Sequence, residues 1–216
     1  VNHSAFRATV PLTVIKIGGS LLGWPSLGDR IDRAIQEHPS TALLFVVGGG
    51  PFADSIRTLQ GSLSLDDKAA HTLALHAMRL SALVVYSLRT GLYLVSQWKL
   101  LRQCLDEDAM AESPRAYLLG DASFLIEDET RFHRVALPHT WQTTSDSIAA
   151  RLAVRLEAET LVLWKSAPLE APISLAQAAS RGLVDEVFPL AASAIPRVIY
   201  HHVRDPNARP ILLDHA

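Results

Sequence analysis

Two lysines stand where lysines are costly. Lys16 lies inside the apolar run 13–17, and Lys165 closes the run Leu161-Val162-Leu163-Trp164. An ammonium group in such surroundings needs a counter-charge or a bound anion. The ordinary alternative is a stem that snorkels its charge to water. Lys16 leads into Ile17-Gly18-Gly19-Ser20, and a second apolar run, 42–47, leads into Gly48-Gly49-Gly50-Pro51. Glycines at strand ends let backbone N–H groups approach an anion, because no Cβ stands in the way. Pro51 suits the first turn of a helix, whose positive end would face the same anion. Such glycines also make tight turns with no ligand at all. Thr143-Thr144-Ser145-Asp146 opens a further helical segment. Ser145 or Asp146 suits an N-cap. A carboxylate at that place would also hold both lysines and keep them charged. Two cations, one carboxylate and two runs of bare amides suit phosphoryl transfer, where catalysis is mostly positioning and stabilisation of charge. An acceptor that is already an anion needs no general base.

These groups need a scaffold that brings them to one edge. Apolar runs at 13–17, 42–47, 82–86, 160–164 and 197–200 read as strands. Segments 27–37, 52–60, 66–80 and 145–157 read as helices; Asp66, Ala69, Ala70, Leu73, Ala74, Ala77 and Met78 keep spacings of three and four. Strands apolar throughout, alternating with helices, imply a mainly parallel sheet covered on both faces. The expected architecture is an α/β fold, a three-layer α/β/α sandwich forming one domain over 1–216. Residues 112–138 are the least regular, with turn signals and the acidic Glu127-Asp128-Glu129, and are expected to carry irregular strands or a substrate lid.

Composition narrows the function classes. The chain has 216 residues, 49% hydrophobic and 19% charged, with a formal charge of -2. No basic block marks a nucleic-acid partner. No apolar run is long enough to span a membrane, and residues 1–12 lack the pattern of a signal peptide. One cysteine, Cys104, excludes an internal disulfide and favours the cytoplasm. The apolar helix 66–80 could form a homo-oligomer face or pack on the core.

No GxxxxGK[ST] occurs, so there is no P-loop. Gly48-x-Gly50-x-x-Ala53 matches the dinucleotide fingerprint, which would make the chain a nicotinamide-dependent oxidoreductase. The acidic residues at the required distance, Asp66 and Asp67, instead look like a helix start.

Four motifs in order resemble the amino-acid-kinase superfamily over nearly the whole chain. They are Val14-Ile15-Lys16-Ile17-Gly18-Gly19-Ser20, Val46-Val47-Gly48-Gly49-Gly50-Pro51, Thr144-Ser145-Asp146-Ser147-Ile148-Ala149-Ala150 and Leu163-Trp164-Lys165-Ser166. The resemblance implies an ATP-dependent kinase of a small phosphate- or carboxylate-bearing acceptor, with Mg²⁺ accompanying the ATP. It implies catalytic roles for Lys16, Asp146 and Lys165, with Asp146 organising the lysines. It assigns Gly18, Gly19, Ser20, Gly48, Gly49, Gly50 and Ser145 to phosphate and acceptor, and Lys165 with Ser166 to the nucleotide. Acceptor binding falls to about 1–140 and nucleotide binding to about 141–216. The short length and the stretch 71–78, with His71 and His76, look like the branch that phosphorylates aminomethylfuranmethyl phosphate in making methanofuran-type cofactors. The chain departs from the family after Lys165, where Ser166-Ala167-Pro168-Leu169-Glu170-Ala171-Pro172 replaces an Asp-Gly and a longer nucleotide segment. That departure keeps a non-catalytic ligand sensor on the same fold as the alternative.

Overall fold

The computed structural model describes residues 10–88, 91–109, 111–127 and 135–215. Their strands form one seven-stranded sheet in the order β3-β4-β2-β1-β5-β6-β7. In chain order these are β1 (Leu12–Ile17), β2 (Ala42–Val47), β3 (Tyr93–Val95), β4 (Ala116–Leu119), β5 (Thr160–Lys165), β6 (Arg197–His202) and β7 (Ile211–Leu213). Every pairing is parallel except that of β6 with β7. All residues of β1, β2 and β4 are buried. That is why these strands are apolar on both faces rather than alternating.

Successive side chains of a strand point to opposite faces, and each face has its own helical cover. Helix α1 (Leu27–Glu37) brings Leu27, Ile31 and Ala34 onto Ile15, Ile17, Phe45 and Trp164. On the other face, Ile148, Ala149 and Leu152 join Leu12, Val14, Leu44 and Leu163; they belong to the helix Ser145–Arg155, called α6 below. The three layers and the mainly parallel sheet match the expected α/β/α sandwich.

Between β2 and α6 the structure departs from the sequence expectation. Helix α2 (Gly50–Leu63) is followed by α3 (Asp67–Leu88), and α3 absorbs the strand expected at 82–86. Its buried residues His71, Leu75, Met78, Ala82 and Val85 continue one stripe at helical spacing, while Leu83, Val84 and Tyr86 are exposed. An apolar run of five cannot by itself separate a strand from a helix; the unbroken stripe from 71 to 85 can. Helix α4 (Trp98–Asp108) leads to β4, which seats on β2 from within the segment expected to be irregular. The buried Asp108 ties the two together, accepting from Tyr117 Oη at 2.7 Å, Arg115 Nε at 2.7 Å and Arg115 N at 2.9 Å. Helix α5 (Ser123–Glu127) follows. Residues 128–134, which carry Asp128 and Glu129 and much of the expected lid, lie outside the described residues. Two short helices, α7 (Leu175–Ser180) and α8 (Phe188–Ala192), separate β5 from β6. Among the described residues no helix is long and apolar enough to cross a membrane.

Candidate active site

Alternation along β1 and β5 decides where the lysines point. Residue 16 shares a face with Leu12 and Val14, and residue 165 shares one with Leu161 and Leu163; all four apolar partners belong to the core under α6. Lys16 stands opposite Leu163 across the β1–β5 pairing. Lys165 is therefore two residues, or about 7 Å, nearer the carboxyl rim of the sheet. The first turn of α6 lowers Asp146 between them. Lys16 Nζ lies 2.8 Å from Asp146 Oδ1, and Lys165 Nζ lies 2.7 Å from Oδ2.

Lys16 and Asp146 are each 4% exposed, so their charges are set by one another. Burial brings the Lys16 ammonium down to about 8, the Lys165 charge pushes the same way, and Asp146 resists. Burial also opposes an ionised Asp146, but the two lysines outweigh it and hold the carboxyl at about 2. Two ammonium groups share the one carboxylate they contact, and the Asp185 charge also acts on Lys16.

The cap of α6 keeps Asp146 free for that work. Thr144, not Ser145 or Asp146, is the N-cap, and its hydroxyl accepts from Asp146 N at 3.4 Å. Asp185, in the turn before α8, braces the same turn. It accepts from Thr144 N at 3.0 Å, Thr144 Oγ1 at 2.7 Å, Ser147 N at 3.1 Å and the Ser147 hydroxyl. Burial pushes the Asp185 carboxyl up, with Asp146 adding to the effect, while the Ser147 and Thr144 donors pull it back. Nothing in the sequence pairs Asp185 with residues 144–147. Only the fold brings it there.

The glycine loops meet backbone to backbone. A Cβ on Gly19 would lie 2.4 Å from Gly50 N, and one on Gly50 would lie 2.8 Å from the Gly19 carbonyl oxygen. Gly50 also has φ +52°, in the left-handed region. The predicted phosphate-binding positions then divide. Gly18 and Gly48 donate their N–H groups to the Trp164 and Ile17 carbonyls, both at 2.9 Å, so their amides extend the sheet rather than face a ligand. Gly19 and Ser20 open a 3₁₀ turn, Gly19–Leu21, and Gly49 and Gly50 open α2. N–H groups in a first helical turn have no partner within the helix and point outward. Ser145 stands beside Gly48, with Oγ 2.8 Å from where a Gly48 Cβ would be. Ser166 joins Ser20 across the rim, hydroxyl to hydroxyl, at 2.8 Å. Arg204, just beyond β6, donates to the Ser20 carbonyl at 2.7 Å.

A cavity of about 300 Å³ opens beside these loops, walled by Gly19, Ser20, Gly48, Gly49, Gly50 and Ser145 on one side and by α3 on the other. Lys16, Asp146 and Lys165 adjoin that loop wall rather than line the cavity itself. Trp141 forms a further wall, its Nε1 donating to Gln60 Oε1 at 2.5 Å and its ring lying under the Arg57 guanidinium at 4.4 Å. Arg57 and Trp141 carry no motif that sequence reasoning could have used. A wider groove of about 680 Å³ runs over the opposite face of the sheet, beside α1 and β6. It touches neither lysine and neither glycine loop, so the smaller cavity is the candidate site.

The dinucleotide fingerprint fails on position. Asp67 begins α3, and Asp66 caps it by accepting from Ala69 N at 2.7 Å. The acidic residue that such a site needs at a strand end is therefore in a helix start. Among the described residues, no group of three His, Cys, Asp or Glu could hold a metal ion. Asp146 has both oxygens on lysines, so the described residues offer Mg²⁺ no cage of their own.

No family model and no curated protein matches the chain. Solved structures do. The UMP kinase from Ureaplasma parvum superposes with a TM-score of 0.65 at 14% identity, over 95% of this chain and 99% of the other. The uridylate kinase from Archaeoglobus fulgidus gives 0.60 at 18% identity, over 93% and 90%. The UMP kinase from Bacillus anthracis gives 0.66 at 11% identity, over 95% and 96%. Matches at this identity establish architecture, and they span both chains almost end to end: this protein has the amino-acid-kinase fold.

Proposed function

We propose that the chain is an ATP-dependent kinase of the amino-acid-kinase family, transferring the γ-phosphoryl group to a small acceptor that bears a phosphate or carboxylate. One observation carries this reading: Lys16 and Lys165 are held on the two oxygens of Asp146, at 2.8 and 2.7 Å, beside two apposed glycine loops. An acceptor oxygen attacks the γ-phosphorus, the bond to the β–γ bridging oxygen breaks, and ADP leaves with that oxygen. Charge spreads over the moving group's oxygens during the step. Lys16, the deeper ammonium, and the Gly19, Ser20, Gly49 and Gly50 amides are placed to stabilise that charge. Lys165, nearer the rim and next to Ser166, suits the ATP phosphates. Asp146 is the positioning residue that keeps both ammonium groups charged and aimed. Mg²⁺ would enter with ATP and would offset phosphate charge, since the described residues offer it no ligand group of their own.

In this reading the acceptor occupies the 300 Å³ cavity, bound mainly by residues 1–140, and the nucleotide lies over 141–216. The finer proposal takes aminomethylfuranmethyl phosphate as acceptor, in the building of methanofuran-type cofactors in the cytoplasm; the likeness of residues 71–78 to that branch supports it. UMP, named by the structural neighbours, is the competing acceptor. Exposed Leu80, Leu83, Val84 and Leu88 make α3 the face for self-association.

The test is an assay of ADP formation with ATP and Mg²⁺ over UMP, simple carboxylates and phosphomonoesters, the furan phosphate included. Acceptor-dependent ADP formation that disappears in Lys16→Ala is the expected outcome. Tight binding of an acceptor by calorimetry, with no ADP formed from any of them, would replace the kinase with a ligand sensor.

A further inference from the structure

Arg204 stands on the turn after β6 and reaches back across the carboxyl rim to the first glycine turn. Its backbone place is fixed. Val203 is buried in the core under α1, and Val203 N donates to the Lys165 carbonyl at 3.2 Å, extending the β5–β6 pairing by one residue. From there Arg204 Nη2 donates to the Ser20 carbonyl at 2.7 Å, the short distance of a charge-assisted bond. The turn itself leaves that carbonyl open. Leu21 N donates to the Gly18 carbonyl at 2.9 Å, Leu22 N to that of Gly19 at 3.2 Å and Trp24 N to that of Leu21 at 2.9 Å, so the backbone bonds pass over Ser20. The Ser20 and Ser166 hydroxyls, 2.8 Å apart, tie the same residue to the end of β5.

The ordinary role of an exposed arginine on a carbonyl is a modest structural tie. Here the hydrogen bonds continue inward. A peptide unit carries the carbonyl of one residue and the N–H of the next. The unit joining Ser20 to Leu21 accepts from Arg204 at its oxygen and donates from Leu21 N to the Gly18 carbonyl. The unit joining Gly18 to Gly19 accepts that bond, and its own N–H is the Gly19 amide that opens the 3₁₀ turn. Two peptide dipoles therefore run head to tail from the guanidinium to Gly19 N–H. Bonds in such a chain polarise one another, each strengthening the next by roughly 10–30%. A cation at the accepting end makes the far N–H a stronger donor.

We propose that Arg204 is a positioning residue for phosphoryl transfer, one that holds and polarises the Gly19 amide through these two peptide units. This rests on the kinase reading for the anion that Gly19 N–H meets. Arg204 touches no substrate in this role. It fills the carbonyl that the turn leaves open, and it strengthens at one remove a donor assigned to the moving phosphoryl group. Deleting such a donor outright typically costs about 10²–10³ in turnover. Weakening it by the fraction above should cost about three- to tenfold.

The experiment compares Arg204→Lys, Arg204→Gln and Arg204→Met, which keep the charge, keep a neutral donor, and keep neither. Arg204 is exposed, so all three should fold with denaturation midpoints close to that of the wild type. In ¹⁵N-edited NMR the Gly19 amide resonance should move upfield in Arg204→Met, move less in Arg204→Gln and return toward its original place in Arg204→Lys. ADP formation is measured with ATP, Mg²⁺ and each of UMP and aminomethylfuranmethyl phosphate. In Arg204→Met kcat should fall about three- to tenfold with KM values within about twofold, and Arg204→Lys should recover more of kcat than Arg204→Gln. A purely structural tie would instead lower the midpoint, raise both KM values and be restored equally by Lys and Gln. An unmoved Gly19 resonance in Arg204→Met, a kcat within about twofold of wild type in that variant, or a Lys variant no better than Gln would each overturn the proposal. Failure of the kinase reading is separate: no ADP from the wild-type protein with any acceptor removes that reading, while the Gly19 resonance still decides whether Arg204 polarises the amide.

Discussion

Lys16 and Lys165 share one carboxylate although they sit on neighbouring strands at different heights. Residue 165 lies two positions past Leu163, the register partner of Lys16, and both side chains fall on the α6 face. A single aspartate at the start of α6 can therefore reach one ammonium with each oxygen. The arrangement sets two cations at different depths below the carboxyl rim of the sheet.

Removing the carboxylate should be worse for stability than removing either lysine. Asp146→Asn leaves two ammonium groups facing each other, one of them buried, and breaking a buried pair typically costs about 3–5 kcal/mol. Chemical denaturation should show that loss and calorimetry a loss of ATP affinity. Lys16→Met keeps the volume and leaves Asp146 paired with Lys165. Its turnover should fall by about 10²–10³ with the fold retained, the usual effect of deleting one transition-state donor. Near-normal turnover in Lys16→Met would end the assigned role.

Lys16 makes activity and stability respond oppositely to alkali. Its ammonium is held at about 8, mainly by burial, against an ordinary 10.5. Turnover that depends on the charged form should decline as pH rises through about 8. Over the same window the unfolded chain binds the proton better than the folded one, so this group's contribution to stability grows from about 8 up to 10.5. Asp146 behaves in the ordinary acidic way. Held at about 2 against 3.8, it contributes stability above 3.8 that is lost as pH falls through about 2. A pH–rate profile checks the first limb. Denaturation midpoints compared with Lys16→Met and Asp146→Asn check the other two, since each variant should flatten its own limb.

Gly19 and Gly50 should tolerate no side chain. Their backbones approach too closely for a Cβ on either, and Gly50 adds a left-handed φ. Gly19→Ala and Gly50→Ala are expected to push the loops apart, raising KM for both substrates and lowering the thermal midpoint. Gly23→Ala, where a Cβ would meet nothing within 4 Å, is the control and should be silent.

Asp185 should act through α6 rather than on substrate. Asp185→Ala removes the acceptor for four donors of Thr144 and Ser147. Leaving buried donors unmet costs about 1–3 kcal/mol. With the first turn loosened, Asp146 should lose its aim and kcat should fall. Restoration by Asp185→Asn of stability but only part of kcat would mark positioning, whereas full kcat in Asp185→Ala would show that Thr144 alone holds the turn.

Much of the central sheet is legible in the sequence because its signals are local. The runs at 13–17, 42–47 and 160–164 and the helix at 27–37 coincide with β1, β2, β5 and α1 to within a residue. Strands at the sheet edges are harder. Tyr93–Val95 and Ile211–Leu213 are three residues each, too short for any periodicity, and become strands because a neighbour supplies the ladder. Residues 82–86 mislead for a related reason: an apolar pentad carries no period of its own, and α3 claims it.

What the sequence determined by itself is the inventory: two lysines in apolar strands, two glycine runs at strand ends, and an aspartate opening a helix. Those follow from residue type and spacing along one stretch of chain. A carboxylate holding both lysines is expected from the sequence and stands at Asp146; tertiary structure alone decided that Gly18 and Gly48 spend their amides on the sheet while Gly19 and Gly50 face each other, and that Asp185 and Trp141 adjoin the candidate site. These are relations between segments distant in sequence, set by strand register and by which face each side chain takes, and no local pattern encodes a register across a crossover.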